Sequence, residues 1–373
     1  MRPANILHLG IKELRSLFRD PILIVLIFYA FTFSIYVAAT AQPETLHKAP
    51  ISIVDEDRSP LSLRVADAFY PPHFMSPVFI TQAEMDIRMD NGLDTFALDI
   101  PSGFQRDVLA GRSPAVQLNV DATRMMQAFT GSSYIQSMVT SEVNAFVRGY
   151  RATETPAVDL ALRTRFNPAL NKSWFGAVME VINSITMLSI VLTGAALIRE
   201  REHGTVEHLL VMPVTPFEIM SSKVWAMALV VLVAAGLSLA FVVQGMLGVP
   251  IEGSIALFLT GAALHLFATT SMGIFLATVT RSMPQFGLLL MLVLLPLMIL
   301  SGSMTPRESM PEFVQFIMLS MPTTHFVALA QAILYRGAGF SVVWPQFAAL
   351  ILIGTVFFSV SLARFRKAIG TMA

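Results

Sequence analysis

Residues 21–40 read PILIVLIFYAFTFSIYVAAT, a stretch that opens on a proline and carries no charge. A helix rises about 1.5 Å per residue, so about twenty apolar residues cross a hydrocarbon layer about 30 Å thick. The run therefore reads as a membrane span with proline at its first helical position. It is too long for the apolar part of a secretory leader and no small-residue cleavage pattern follows it, so it reads as a retained anchor.

Five further stretches qualify: residues 175–198 with Glu180 near one end, 224–249, 254–280 with His265 as the one titratable group, 286–303 interrupted by Pro296, and 344–363. Composition agrees. Of 373 residues 54% are hydrophobic and 13% charged, against roughly 25% charged in soluble domains, and mean hydropathy is +0.65. Lys+Arg and Asp+Glu are both 25, so the charge balance points to no nucleic-acid partner. Cysteine is absent, which excludes disulfides and thiolate metal sites. The 22 methionines read as adaptable apolar filler rather than soft-metal ligands.

Orientation follows from Lys and Arg in short flanks. One side holds Arg2, Lys12, Arg15, Arg19, Arg199, Arg201, Lys223, Arg281, Arg364, Arg366 and Lys367, and the other only Arg307 and Arg336. Both termini are expected in the cytoplasm. The segment between the first two spans, residues 42–174, is then outside, and in the periplasm of a Gram-negative cell. Its residues 51–54, 78–81, 95–100 and 115–120 read as strands, with helices at 61–69, 83–89 and 104–110 and a long helix over 126–151. The expected fold is an α-helical integral membrane protein of six spans with an α/β domain inserted between spans 1 and 2.

Catalytic chemistry is hard to find. No G-x-x-x-x-G-K-[ST] run occurs and the dipeptide Gly-Lys is absent, so the chain has no ordinary phosphate loop. Ion-coupled transporters keep ionisable groups near the membrane centre, and only Glu180 and His265 are available; a near-interface carboxylate and a helix-contact histidine are the plainer readings.

The most patterned polar segment is REREHGTVEHLLVMPVTPFEIMSSK, residues 199–223. A short amphipathic helix is expected over 205–211, preceded by Gly204 and stopped by Pro213. A second helix starts at Thr215, with Pro216 at its first position and Glu218 completing a capping box. His203 and His208 are five apart and point to different sides of a helix, so they do not form a metal cluster.

This segment resembles the coupling region of type-2 ATP-binding-cassette permeases, R-E-x-G-T-x-E-x-L-x-x-x-P, whose positions are filled by Arg201, Glu202, Gly204, Thr205, Glu207, Leu209 and Pro213. KELRSLFRDP, residues 12–21, is similar to the family's interfacial helix. It contributes Lys12, Glu13, Arg15, Arg19, Asp20 and Pro21, with Leu7, Ile11, Leu14 and Phe18 expected on one face. SGSMTPRESMP, residues 301–311, resembles the external helices after the fifth span. That region covers 304–340 and contains Pro306, Pro311 and Pro322, with Gly302 just ahead of it.

The resemblance implies an exporter permease, not itself an enzyme. ATP and Mg²⁺ would sit on a partner ATPase, a second permease half would complete the pathway, and a periplasmic membrane-fusion adaptor would dock on the outer domain. The acidic and basic groups of Arg199 to Glu207, Glu200, Arg201 and Glu202 among them, would meet the ATPase by charge-assisted hydrogen bonds, while Leu209, Leu210 and Val211 would enter a groove on it. A lipid-surface helix without a partner is the alternative for this segment. For the whole chain the alternatives are a membrane-anchored sensor or scaffold with a periplasmic receptor domain, and an ion-coupled secondary transporter. Apolar, charge-poor spans favour a hydrophobic or amphiphilic substrate. The expected location is the bacterial inner membrane.

Overall fold

In the computed structural model residues 2–40, 46, 48–149, 172–202, 214–303, 305 and 307–370 are described. Chain packing divides them into two units, one of residues Met1–Gln42 with Thr164–Ala373 and the other of residues Pro43–Arg163.

The first unit begins with α1 (Pro3–Phe18) and the first span, which is broken into α2 (Pro21–Phe31) and α3 (Phe33–Thr40). Asp20 caps α2, its Oδ1 accepting the N–H groups of Ile22 and Leu23. At the break near Thr32, two carbonyls are satisfied from neighbouring helices: Ser184 donates to Ala30 O and Ser238 to Phe31 O. Within hydrocarbon an unsatisfied carbonyl costs several kcal/mol, so these hydroxyls make the break tolerable.

Among the described residues six helices are long and apolar enough to cross a membrane: Pro21–Thr40, Ser173–Glu202, Pro216–Met246, Ile255–Val279, Met283–Leu300 and Phe340–Lys367. The second and fourth are the packing centre, 78% and 67% buried over their most apolar windows, against 22% for the first, fifth and sixth. In the unit's own elements these two are α8 (Lys172–Glu202) and α10 (Ile255–Val279). They approach closely at Gly273, where an added Cβ would lie 2.7 Å from Ile190 O. The third span, α9 (Pro216–Ser238), continues as a π-helical segment over Leu239–Met246. The fifth, α11 (Met283–Leu300), runs through Pro296 without interruption, correcting the expected break; a helix packed among neighbours absorbs one missing N–H. After it, Gly302 has φ 94, a backbone region that favours glycine. Pro311 caps α12 (Glu312–Leu319) and Pro322 starts α13 (Pro322–Leu334), and the two helices meet at 85°, the geometry of a broken span or a re-entrant loop. The sixth span is α14 (Phe340–Gly370).

The residues of α1 buried in the protein are Gly10, Glu13 and Leu17, while Leu7 and Phe18, on the expected apolar face, are 54% and 65% exposed. α1 docks on α9 through glycine: a Cβ at residue 10 would fall 2.0 Å from the Trp225 ring, whose Nε1 donates to Ile6 O at 3.2 Å.

The second unit holds a four-stranded sheet, β1 (Ile51–Asp55), β2 (Val78–Phe79), β3 (Phe96–Ile100) and β4 (Gln117–Val120), in the order β2-β1-β3-β4. β1 is parallel to β2 and β3, and β4 is antiparallel to β3. α4 (Pro60–Ala66), α6 (Phe104–Leu109) and α7 (Met125–Arg148) lie over one face. Ile51, Ile53, Phe96, Leu98 and Ile100 form its core with Leu61, Phe104 and Ile135. α5 (Gln82–Asp90) covers Val54 and Ala97 on the other face with Met85. Both faces are covered, as parallel strand pairs require.

Candidate coupling site

The last turn of α8 carries Arg199, Glu200, Arg201 and Glu202, and each makes a different attachment. Successive helical residues are turned by about 100°, so four in a row point around the full circle. Arg199 Nη1 donates to Asp20 Oδ2 at 2.6 Å, the carboxylate that caps the first span. Glu200 pairs with Lys12 of α1 and Lys223 of α9, both at 2.7 Å. Arg201 Nη1 donates to Thr280 O at 2.6 Å and Ala277 O at 3.2 Å, covering the carbonyl end of α10. That is where a helix dipole favours a cation. Glu202 Oε1 accepts the Met283 N–H at 2.9 Å; Met283 begins α11, whose N-cap Ser282 makes no side-chain bond.

The centre of this arrangement is an interior ion cluster. The Lys223 side chain is 2% exposed, and its ammonium lies 2.9 Å from Glu13 Oε1 as well as beside Glu200. Lys12 reaches Glu13 at 3.4 Å. Two cations and two carboxylates balance. Burial alone would lower the Lys12 pKa, but the Glu200 carboxylate, and Glu13 after it, raise it above the ordinary lysine value. On the other flank of the segment, Thr215 and Glu218 form the expected capping box, and Glu218 Oε1 also accepts the Arg2 N–H at 2.7 Å.

Among the expected site residues, Arg199, Glu200, Arg201, Glu202, Lys12, Glu13, Asp20 and Pro21 are brought to one end of the first unit. Arg15 and Arg19 are exposed on α1 and join no ion pair among the described residues. Gly204, Thr205, Glu207, Leu209, Leu210 and Pro213, with the helix expected over 205–211, lie outside the described residues, as does Pro306. The charges of 199–201 are engaged within the chain. Lys223 was legible only as a flanking charge. Its spacing from Ile219, Met220 and Met227, all buried, was the signal that it lies on the inward face.

Away from this end, Glu180 accepts a bond from Ser34. His265 lies with Nε2 2.9 Å from Thr186 Oγ1 and its ring stacked 4.1 Å from Phe326. Both are held in helix contacts. No group of three or more metal-ligating side chains occurs among the described residues.

A family model described as ABC-2 family transporter protein matches residues 21–363. The chain belongs to this ABC-2 family. It is similar to the inner membrane transport permease YhhJ of Escherichia coli (strain K12), with 64% identity over 369 residues, 99% of each chain. It is also similar to the probable multidrug ABC transporter permease YbhR of the same organism, with 25% identity over 359 residues, 95% of this chain and 96% of that one. As an ABC-2 permease with several apolar helices it is a multi-pass membrane subunit, and the family implies an ABC ATPase partner in the bilayer assembly.

Proposed function

We propose that this chain is the membrane-spanning permease subunit of an ATP-driven exporter, in which a partner ATPase displaces residues 199–223 and the end of α8 transmits that displacement to the other spans. The observation that carries this reading is the set of four attachments made by residues 199–202. Through them α8 holds α1, the first span, α9, α10 and α11 by charged hydrogen bonds, which are stronger and more directional than neutral ones. A push on residues 203–213 would reach five elements within one helical turn.

Several further assignments support one another. The Lys and Arg residues concentrated at this end favour a cytoplasmic placement, with both termini inside and the second unit on the outer side of the inner membrane. There the α/β unit would meet a periplasmic adaptor, and a second permease half would complete the pathway. ATP and Mg²⁺ would stay on the ATPase. Glu180 and His265 are engaged in helix contacts rather than poised for ion transfer, which favours ATP over an ion gradient as the driving force. The apolar spans favour a hydrophobic or amphiphilic substrate.

Native purification in mild detergent, followed by mass-spectrometric identification of every subunit, tests this. An ATPase subunit should be retained. A preparation with no ATPase that transports on an ion gradient would overturn the proposal.

A further inference from the structure

An apolar groove of about 530 Å³ runs along the outside of the first unit between α1, the first span and α9. Leu14 and Phe18 form its end on α1, Phe28 forms one wall, and Leu229, Val233 and Phe241 form the other. Its two polar side chains are already engaged, Thr32 Oγ1 donating to Phe28 O and Ser238 Oγ to Phe31 O. Neither hydroxyl has a proton left to donate, and every other lining side chain is apolar, so the groove suits a hydrocarbon.

Shape narrows the occupant. From Leu229 to Phe241 the helix rises about 18 Å, slightly more than half of a hydrocarbon layer about 30 Å thick. Over that length the groove is open along one side and almost wholly apolar, which fits an acyl chain of one leaflet.

Charge then selects the head. Arg15 on α1 and Arg19 at its C-terminal cap each follow a groove residue in sequence, Leu14 and Phe18. Both are exposed, and neither has an anionic partner among the described residues. We infer that this groove is a site for one anionic phospholipid, an acyl chain lying along α9 and the phosphate held by Arg15 and Arg19. Basic residues beside membrane helices recognise anionic headgroups in this way. The inference is independent of the transport reading.

The test uses the full chain in detergent, incubated with equal amounts of phosphatidylglycerol and phosphatidylcholine of identical acyl chains, and reads bound lipid by native mass spectrometry. The wild type should retain one phosphatidylglycerol per chain, with a preference of about thirty-fold from two guanidinium groups. Arg15→Gln with Arg19→Gln should keep a lipid but lose the preference. Val233→Trp should displace the lipid of either kind, while millimolar inorganic phosphate should displace neither. Three results would overturn the inference: the Gln variant keeping the full preference, the wild type holding no more lipid than Val233→Trp, or Val233→Cys chains forming a disulfide with each other in membranes, which would show a second copy on the groove. Should Val233→Trp fail to fold, the arginine variant decides alone, since it changes only exposed side chains.

Discussion

Replacing Lys223 by Met removes one cation from a balanced set of four charges and leaves two carboxylates to share Lys12. The Lys223 side chain is 2% exposed, and Glu13 and Glu200 are 7% and 11% exposed, so the loss is taken inside the protein. Breaking a buried pair from one side costs about 3–5 kcal/mol, because the remaining charge is stranded. Lys12 still lies 2.7 Å from Glu200 and 3.4 Å from Glu13, which places the variant at the lower end, about 3 kcal/mol. For a unit of this size that is a fall of about 6–12 °C in Tm, read by thermal unfolding in detergent at fixed lipid content. The second variant is the discriminating one. Glu13→Gln combined with Lys223→Met removes one charge of each sign and leaves Lys12 paired with Glu200. Its loss should be smaller than the sum of the single losses by about 1–3 kcal/mol. If Lys223→Met melts within about 1 °C of wild type, or if the single losses simply add, the cluster is not a coupled interior unit and the reasoning fails.

Gly131→Ala in α7 should destabilise the second unit, because the new Cβ would fall 2.2 Å from the Phe96 ring; overpacking of this kind costs about 1–3 kcal/mol, and a soluble fragment of residues 46–149 should melt cooperatively, and lower with the substitution. Asp99 is held above the usual carboxylate range by burial, and secondarily by Glu56. Its protonated form is the one folding favours, so its contribution is most favourable at low pH and declines as pH rises from the ordinary aspartate value through the raised one. Asp99→Asn should flatten that part of the fragment's stability profile, and an unchanged profile would contradict the assignment. Gly10→Ala should dislodge α1 from Trp225, seen as a shift of tryptophan emission and faster proteolysis of the first helix. Reporter fusions at Arg124 and Ala373 should report opposite sides of the membrane; the same side for both would contradict the topology.

The spans were legible because twenty apolar residues in a row have few other uses, and the strands of the second unit because their β-branched and apolar runs end at turn residues. The start of the third helix was legible from the Thr215–Glu218 capping box, but the end of the second was not: a hydropathy reading stops at Arg199, yet the helix runs to Glu202 because its last-turn charges are engaged by neighbouring elements. On α1 the apolar stripe was legible, with Leu7 and Phe18 on the outside, but the inward turn of the Glu13 carboxylate to Lys223 was not. Which charges meet is a matter of tertiary arrangement: Lys12 and Glu200 are 188 positions apart, and no local spacing pairs them. Gly204 to Pro213, the residues matched to the coupling motif, lie outside the described residues.

The most direct test of the central claim measures whether the end of α8 carries motion. The chain has no cysteine, so single cysteines at Leu237 and Leu288, both exposed on their spans, can take spin labels without background. In the complex with its ATPase, adding ATP should change the distance between the labels in the wild type. With Glu200→Ala and Glu202→Ala together, which release α9 and α11 from the end of α8, the ATPase should remain bound and hydrolyse ATP while the distance stays at its resting value. An equal change of distance in the variant would contradict the account.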